Sequence, residues 1–212
     1  MKKLPSSESG AFSVADVVNI IYIGLLWLVC CLPVLTIGPA SSAMYHSIVK
    51  SVRRGRGQAD KTFFAAFKAN FRCGFKAWLV FLGLILLWLM SAIIRSSADP
   101  EGIRMMSRLS LLLILPVCYP LPWVFAYISR FDNSLKDSLK YSLYLSLRNP
   151  GRSIVLLLIP AGFAVLGSLA PVLIPLLPGF CCLAMSFFIE PVFRTITEKM
   201  DTDSNADKWY NE

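Results

Sequence analysis

The chain is 212 residues long, 56% apolar counting AVILMFWYC and only 16% charged, with a mean hydropathy of +0.61 and a formal net charge of +8. A soluble domain carries about 25% charged residues to cover its surface, so a soluble globule is excluded, as are disorder, collagen and a disulfide-stapled secreted mini-protein. What remains is an all-α, polytopic integral membrane protein of one domain, with a polar, disordered C-terminal tail.

Charge-free stretches mark the spans. No Asp, Glu, Lys or Arg occurs in Val17–Val49, Ala77–Ile94, Leu109–Ser129 or Ser153–Ile189, gaps of 33, 18, 21 and 37 residues. A helix crosses hydrocarbon in about 17–25 residues. Five spans are therefore expected, over about 17–37, 77–94, 109–128, 153–169 and 172–189, with Gly167, Ser168 and Pro171 turning the chain between the last two. Gly38–Val49 is too short and too mixed to make another. Ala77–Ile94 holds eleven Leu, Ile, Val or Phe residues, which contribute about −3 to −7 kcal/mol to insertion with no charge opposing.

Basic residues set the direction. The Lys50–Lys76 loop, the Arg130–Arg152 loop and the C-terminal tail hold sixteen of the 21 Lys and Arg residues, so that side should be cytoplasmic. Five spans then put the N-terminus outside and the C-terminus inside. The rival reading, a cleaved leader ending near Ser41-Ser42-Ala43, would be 43 residues long with Glu8 and Asp16 ahead of its apolar run, unlike a signal peptide. The basic excess is membrane asymmetry plus attraction to anionic headgroups and implies no nucleic-acid partner.

Two amphipathic helices are expected on the cytoplasmic side. After a break at Gly55–Gly57, with Asp60 as N-cap, Phe63, Phe64, Phe67, Phe71 and Phe75 share one arc, and Lys61, Lys68, Arg72 and Lys76 flank it. Phe toward lipid beside cations toward water is the pattern of an in-plane interfacial helix; packing on another protein surface is the alternative. A shift of 72 aligns this segment with the second loop: Asp60 meets Asp132, Phe63, Phe67, Phe71 and Phe75 meet Leu135, Leu139, Leu143 and Leu147, Lys68 meets Lys140, and Lys76 meets Arg148. Either a parallel internal repeat of interfacial helix, span, span or chance amphipathic similarity explains this. The candidate docking set for lipid or a partner is Lys61, Phe64, Phe67, Lys68, Phe71, Arg72, Lys76, Lys140 and Arg148.

Prolines cluster in the third span (Pro116, Pro120, Pro122) and the fifth (Pro171, Pro175, Pro178). Each removes a backbone donor, and freed carbonyls at membrane depth must be buried or face a wet cavity. A cavity or hinge near Pro116, Tyr119, Pro120, Pro122, Pro175 and Pro178 is one reading; tolerated kinks in packed helices are the other.

Little supports catalysis. The single His, His46, makes no metal site or imidazole dyad. The six Cys (30, 31, 73, 118, 181 and 182) form no C-x-x-C and read as small packing residues. Nucleotide-binding and nucleophile-elbow motifs are missing, so neither an enzyme nor a cofactor is expected. Span interiors show no carboxylate; Asp16 and Glu190 read as border residues, with Glu190-Pro191 ending the fifth span.

Leu25-Leu26-Trp27-Leu28, Cys31-Leu32-Pro33, Thr36-Ile37-Gly38-Pro39-Ala40, Phe63-Phe64-Ala65-Ala66-Phe67-Lys68, Asn70-Phe71 and Leu147-Arg148-Asn149-Pro150 together resemble the YesL family of bacterial membrane proteins, a domain of unknown function, from about Val14 to Thr197. The resemblance implies a polytopic cytoplasmic-membrane protein with an accessory or scaffold role in carbohydrate uptake, beside sugar ABC transporter or sensor kinase subunits. It brings no agreed site residues. A small solute transporter or permease subunit is the alternative, although the Asp132–Asn149 loop lacks the Glu-Ala-Ala and Gly signature of a sugar permease coupling loop.

Overall fold

A computed structural model describes residues 13–55, 58–96, 118–131 and 134–201. Among them there are seven α-helices and no strand: α1 (Val14–Cys30), α2 (Ile37–Ser47), α3 (Ala59–Ser96), α4 (Leu121–Arg130), α5 (Leu135–Arg148), α6 (Pro150–Leu169) and α7 (Leu177–Asp201). Three of them are long and apolar enough to cross a membrane: α3 within Ala59–Met90, α6, and α7 within Leu177–Thr197. The expected all-α membrane architecture is thus present. Pro116, Asp132, residues 1–12 and most of the tail lie outside the described residues.

The first expected span is shorter than its charge-free stretch. Asp16 accepts the Ser13 N–H at 3.0 Å to start α1, and the helix ends at Cys30 because Pro33 cannot donate to a continuing ladder. Thr36 Oγ1 then donates to the carbonyls of Cys30 and Pro33, and Trp78 Nε1 donates to the Val34 carbonyl at 2.7 Å. These side chains satisfy backbone acceptors that the break would otherwise leave open.

The chain next forms a helix over the stretch that reads as too short and too mixed for a span. α2 continues through a π-helical stretch, Ile48–Arg53, and runs back along α1, with Trp27 Nε1 donating to Ser41 Oγ at 3.1 Å. Pro39, Ala40, Ser42, Ala43 and Tyr45 are buried, as are Ile48 and Val49. α2 is enclosed by α1, α3, α4 and α7, so its outer face meets protein rather than lipid and can be small and polar. Contact with α3 is backbone to backbone. A Cβ built on Gly38 would lie 2.4 Å from the Gly74 carbonyl oxygen, and one on Gly74 would lie 3.1 Å from Pro39. The Thr36–Ala40 string is thereby explained: Thr36 closes the break, Gly38 admits α3, and Pro39 and Ala40 fill the contact.

α7 packs against α1 equally closely. A Cβ on Gly179 would lie 2.3 Å from the Ile20 carbonyl oxygen, and one on Gly24 would sit 3.5 Å from the Pro175 carbonyl oxygen. Rising residue number on α1 thus meets falling number on α7, so the two are antiparallel. Arg53, at the end of the π stretch, reaches Ser186 of α7 at 2.8 Å. The start of α1, the Arg53–Arg54 turn and the C-terminal end of α7 therefore share one end of the molecule. The sequence reading puts the two termini on opposite sides of a membrane; within the protein α2 returns along α1, and the start of α1 and the end of α7 lie at one end.

Three further boundaries differ from expectation. Asp60 is not an N-cap but sits in the first turn of α3, where a carboxylate favours the helix dipole. The segment Asp60–Lys76 is not a separate in-plane helix: α3 runs unbroken for 38 residues, about 57 Å, because no Gly-Pro or Asn-Pro step divides it. α7 does not stop at Glu190-Pro191 but continues to Asp201 with Pro191 inside it. In contrast, α5 is a discrete helix: Ser134 caps it, and Asn149 and Pro150 separate it from α6.

Two buried clusters result. The larger gathers Ile20, Ile23, Tyr45, Ile48, Phe63, Trp123, Tyr127, Ile189 and Phe193 from α1, α2, α3, α4 and α7. The smaller packs Ala77, Trp78 and Phe81 of α3 on Val124, Phe125 and Ile128 of α4.

Candidate functional site: a buried carboxylate between three helices

Glu190 lies on α7 within an apolar run and is only 8% exposed. Its Oε1 accepts from Arg130 Nη1 at 3.1 Å and from the Tyr45 hydroxyl at 3.3 Å. Its Oε2 is 3.8 Å from Arg54 Nη2. Arg130, at the end of α4, is 3% exposed; its Nη2 donates to Thr197 Oγ1 at 3.2 Å, two turns further along α7. Its guanidinium lies 5.4 Å from the centre of the Phe193 ring, a cation–π distance. One carboxylate thus joins α2, the turn into α3, α4 and α7.

Further polar contacts surround it. His46 Nδ1 is 3.0 Å from the Ser129 carbonyl oxygen; a carbonyl only accepts, so Nδ1 carries the proton and ties α2 to α4. Arg53 donates to the Ser186 carbonyl and lies 4.7 Å over the Phe187 ring. That is one turn before Pro191, which has no N–H for the Phe187 carbonyl. The π stretch, the kind of locally irregular helix found at functional positions, ends at Arg53 and brings Arg53 and Arg54 to α7 beside Pro191.

The chemistry available is that of a strut rather than a reaction centre. Glu190 is hydrogen-bonded and ion-paired, with Tyr45 and Arg130 buried around it. Two ions out of water gain little net stability from pairing, but removal of either leaves an uncompensated buried charge. Among the described residues no group of three or more His, Cys, Asp or Glu could hold a metal. Cys30, Cys31, Cys118, Cys181 and Cys182 are free thiols.

Sequence reasoning did not find this cluster. Arg130 and Glu190 each stand at the edge of a charge-free stretch and read as border residues. The available signal was that Glu190 stands alone, with Phe187, Phe188 and Ile189 before it and Pro191, Val192 and Phe193 after it, so a buried cation had to answer it.

The sequence-predicted residues distribute as follows. Lys61, Phe64, Lys68, Phe71, Arg72 and Lys76 are exposed on α3, and Lys140 and Arg148 are exposed on α5. Phe67 instead packs partly buried against the larger cluster, stacked with Phe63; Phe63 itself is fully buried. The phenylalanine arc is therefore split, part of it turned into the protein. The prolines are divided between contacts. Tyr119, Pro120 and Pro122 lead into α4, which meets α7 at Glu190 and Phe193. That is about 22 Å along α7 from Pro178, while Pro175 and Gly179 face α1. A groove of about 510 Å³ lies elsewhere, between α6 and α7, lined by Val155, Leu158, Ile159, Gly162, Phe163, Leu166 and Ala184.

Helices of membrane-crossing length around an enclosed ionic core define an all-helical membrane protein. Residues 20–92, about a third of the chain, match a family described as "Protein of unknown function, DUF624". The match takes in most of α1, the break with its Thr36–Ala40 string, α2 and nearly all of α3. No curated protein and no solved structure matches the chain.

Proposed function

We propose that the chain is a non-enzymatic accessory or scaffold protein of the bacterial cytoplasmic membrane that presents two basic helical surfaces to a partner or to anionic lipid. The observation that carries this reading is the division of polar groups. The Glu190 cluster is spent on joining helices, whereas Lys61, Lys68, Arg72 and Lys76 on α3 and Lys140 and Arg148 on α5 stand exposed. The basic side is read as cytoplasmic, so both ends of the described chain face the cytoplasm in this account. The association with carbohydrate uptake rests on the resemblance to YesL proteins. A sugar ABC transporter subunit or a sensor kinase is the proposed partner. Affinity purification from native membranes, with a photo-crosslinker at Phe64, is expected to recover one of these; capture of no transporter or sensor subunit would reject the role.

One observation favours a second reading, a small solute transporter. An ionisable pair buried against a candidate span marks transport pathways in other membrane proteins, and Glu190–Arg130 is such a pair next to Pro191. Purified protein in liposomes would then move a solute, and Glu190→Gln would alter the flux. Absence of flux with correct insertion demonstrated would dismiss it.

A further inference from the structure

We propose that α5 is a binding surface for anionic phospholipid, lying at headgroup level with its Leu and Tyr side chains in the acyl boundary and its cations on lipid phosphates. This rests on the reading of α5 as a docking surface and names what docks there.

The helix turns its polar side inward. Ser138, Ser142 and Ser146, spaced by one turn, are fully buried, while Tyr141, Leu143, Tyr144 and Leu147 are 49%, 44%, 53% and 65% exposed. Ser142 and Ser146 donate to the carbonyls of Ser138 and Leu143 within the helix, so the serine side can close on its protein neighbours. In water the outer side would expose four large side chains in 14 residues. Against a bilayer, that outer side is the one that belongs in the boundary region. Tyrosine pairs are characteristic of that depth, ring in and hydroxyl out.

Continuity and charge choose lipid over protein. Only Asn149 separates α5 from α6, a helix of crossing length whose Ile154 and Leu158 are likewise exposed. α5 therefore stands where a span leaves the membrane. Lys136, Lys140, Arg148 and the neighbouring Arg152 are all exposed. The one acid of the helix, Asp137, accepts from the Ser134 hydroxyl at 2.7 Å and serves the cap. Arg148 Nη1 donates to the Tyr144 hydroxyl at 2.8 Å and its guanidinium lies 5.8 Å from that ring, which holds a cation at the height of the tyrosine hydroxyl.

The test uses the full chain with benzoylphenylalanine at Leu143 or Leu147, photolysed in native membranes. Adducts should be phospholipid, and mass spectrometry of protein from phosphatidylglycerol nanodiscs should show retained anionic lipid. K140Q/R148Q should lose that lipid by roughly ten-fold or more and keep its affinity for phosphatidylcholine. Protein adducts at both positions, or unchanged retention in K140Q/R148Q with native helix content by circular dichroism, would overturn the proposal. If lipid adducts form but no uptake protein is captured from Phe64, only the accessory role fails. If a transporter is captured but α5 gives no lipid adduct, only this inference fails.

Discussion

α3 and the α5–α6 pair carry a similar sequence pattern and part company where the second one breaks. Under the shift of 72, Ala66, Asn70 and Gly74 of α3 fall on Ser138, Ser142 and Ser146 of α5; Ala66, Gly74 and the three serines are buried, and Asn70 is half-buried. Phe71 and Leu143 both face out, as do Lys68 and Lys140. Further on, Phe81 and Ser153 are both buried. Where α3 has Ala77-Trp78, however, the second region has Asn149-Pro150, and there one 38-residue helix becomes two. A basic amphipathic segment leading into a span can thus be a single rod or a bent pair, with the residues at the junction deciding. Small inward residues serve both: Gly74 admits α2, and the serines admit the neighbours of α5.

Glu190 is the side chain that both regions share, through Arg54 at the approach to α3 and Arg130 at the approach to α5. Its loss should have the largest effect. Glu190→Ala is expected to cost about 3–5 kcal/mol, because Arg130 stays buried without its carboxylate; thermal unfolding in detergent reads this, and an unchanged transition would show the pair to be incidental. Next, Trp78→Pro should convert α3 into the broken form at a cost of about 3 kcal/mol, with the loss of its bond to Val34 in addition. Distance measurements between labels at either end of α3 should shorten. The reverse change, Pro150→Ala, should let α5 and α6 straighten toward one another; labels that do not move would place the cause of the break outside the proline. Gly38→Ala drives a methyl into the Gly74 carbonyl and should cost about 1–3 kcal/mol, seen as a lower melting temperature. The smallest effect is expected from Ser134→Ala, which removes the α5 cap for about 1 kcal/mol and should leave α3 untouched in hydrogen exchange.

The pattern of legibility follows from what each helix faces. α6 and the apolar half of α3 were readable because little protein covers them, and a helix of crossing length has to be greasy. The Asn149-Pro150 break was readable because proline is a local signal. The burial of α2 was not, because a helix walled by other helices can carry Ser41, Ser42 and Ser47 on its faces and still sit deep in the protein. The inward turn of Phe63 and Phe67 was likewise hidden: helical periodicity assigns residues to one arc but does not say whether lipid or another helix lies beyond it. The Glu190 cluster needed three elements from distant parts of the chain, Tyr45, Arg130 and Glu190, and spacing along the sequence carries no sign of such a meeting.

The return pass of α2 is the claim on which the arrangement depends, and epitope tags at the two termini test it most directly. In sealed vesicles of one orientation, protease should treat the tags alike, both protected or both removed, because the start of α1 and the end of α7 lie at the same end of the molecule. One tag removed and the other protected would mean an odd number of crossings and would contradict the α1–α2 hairpin.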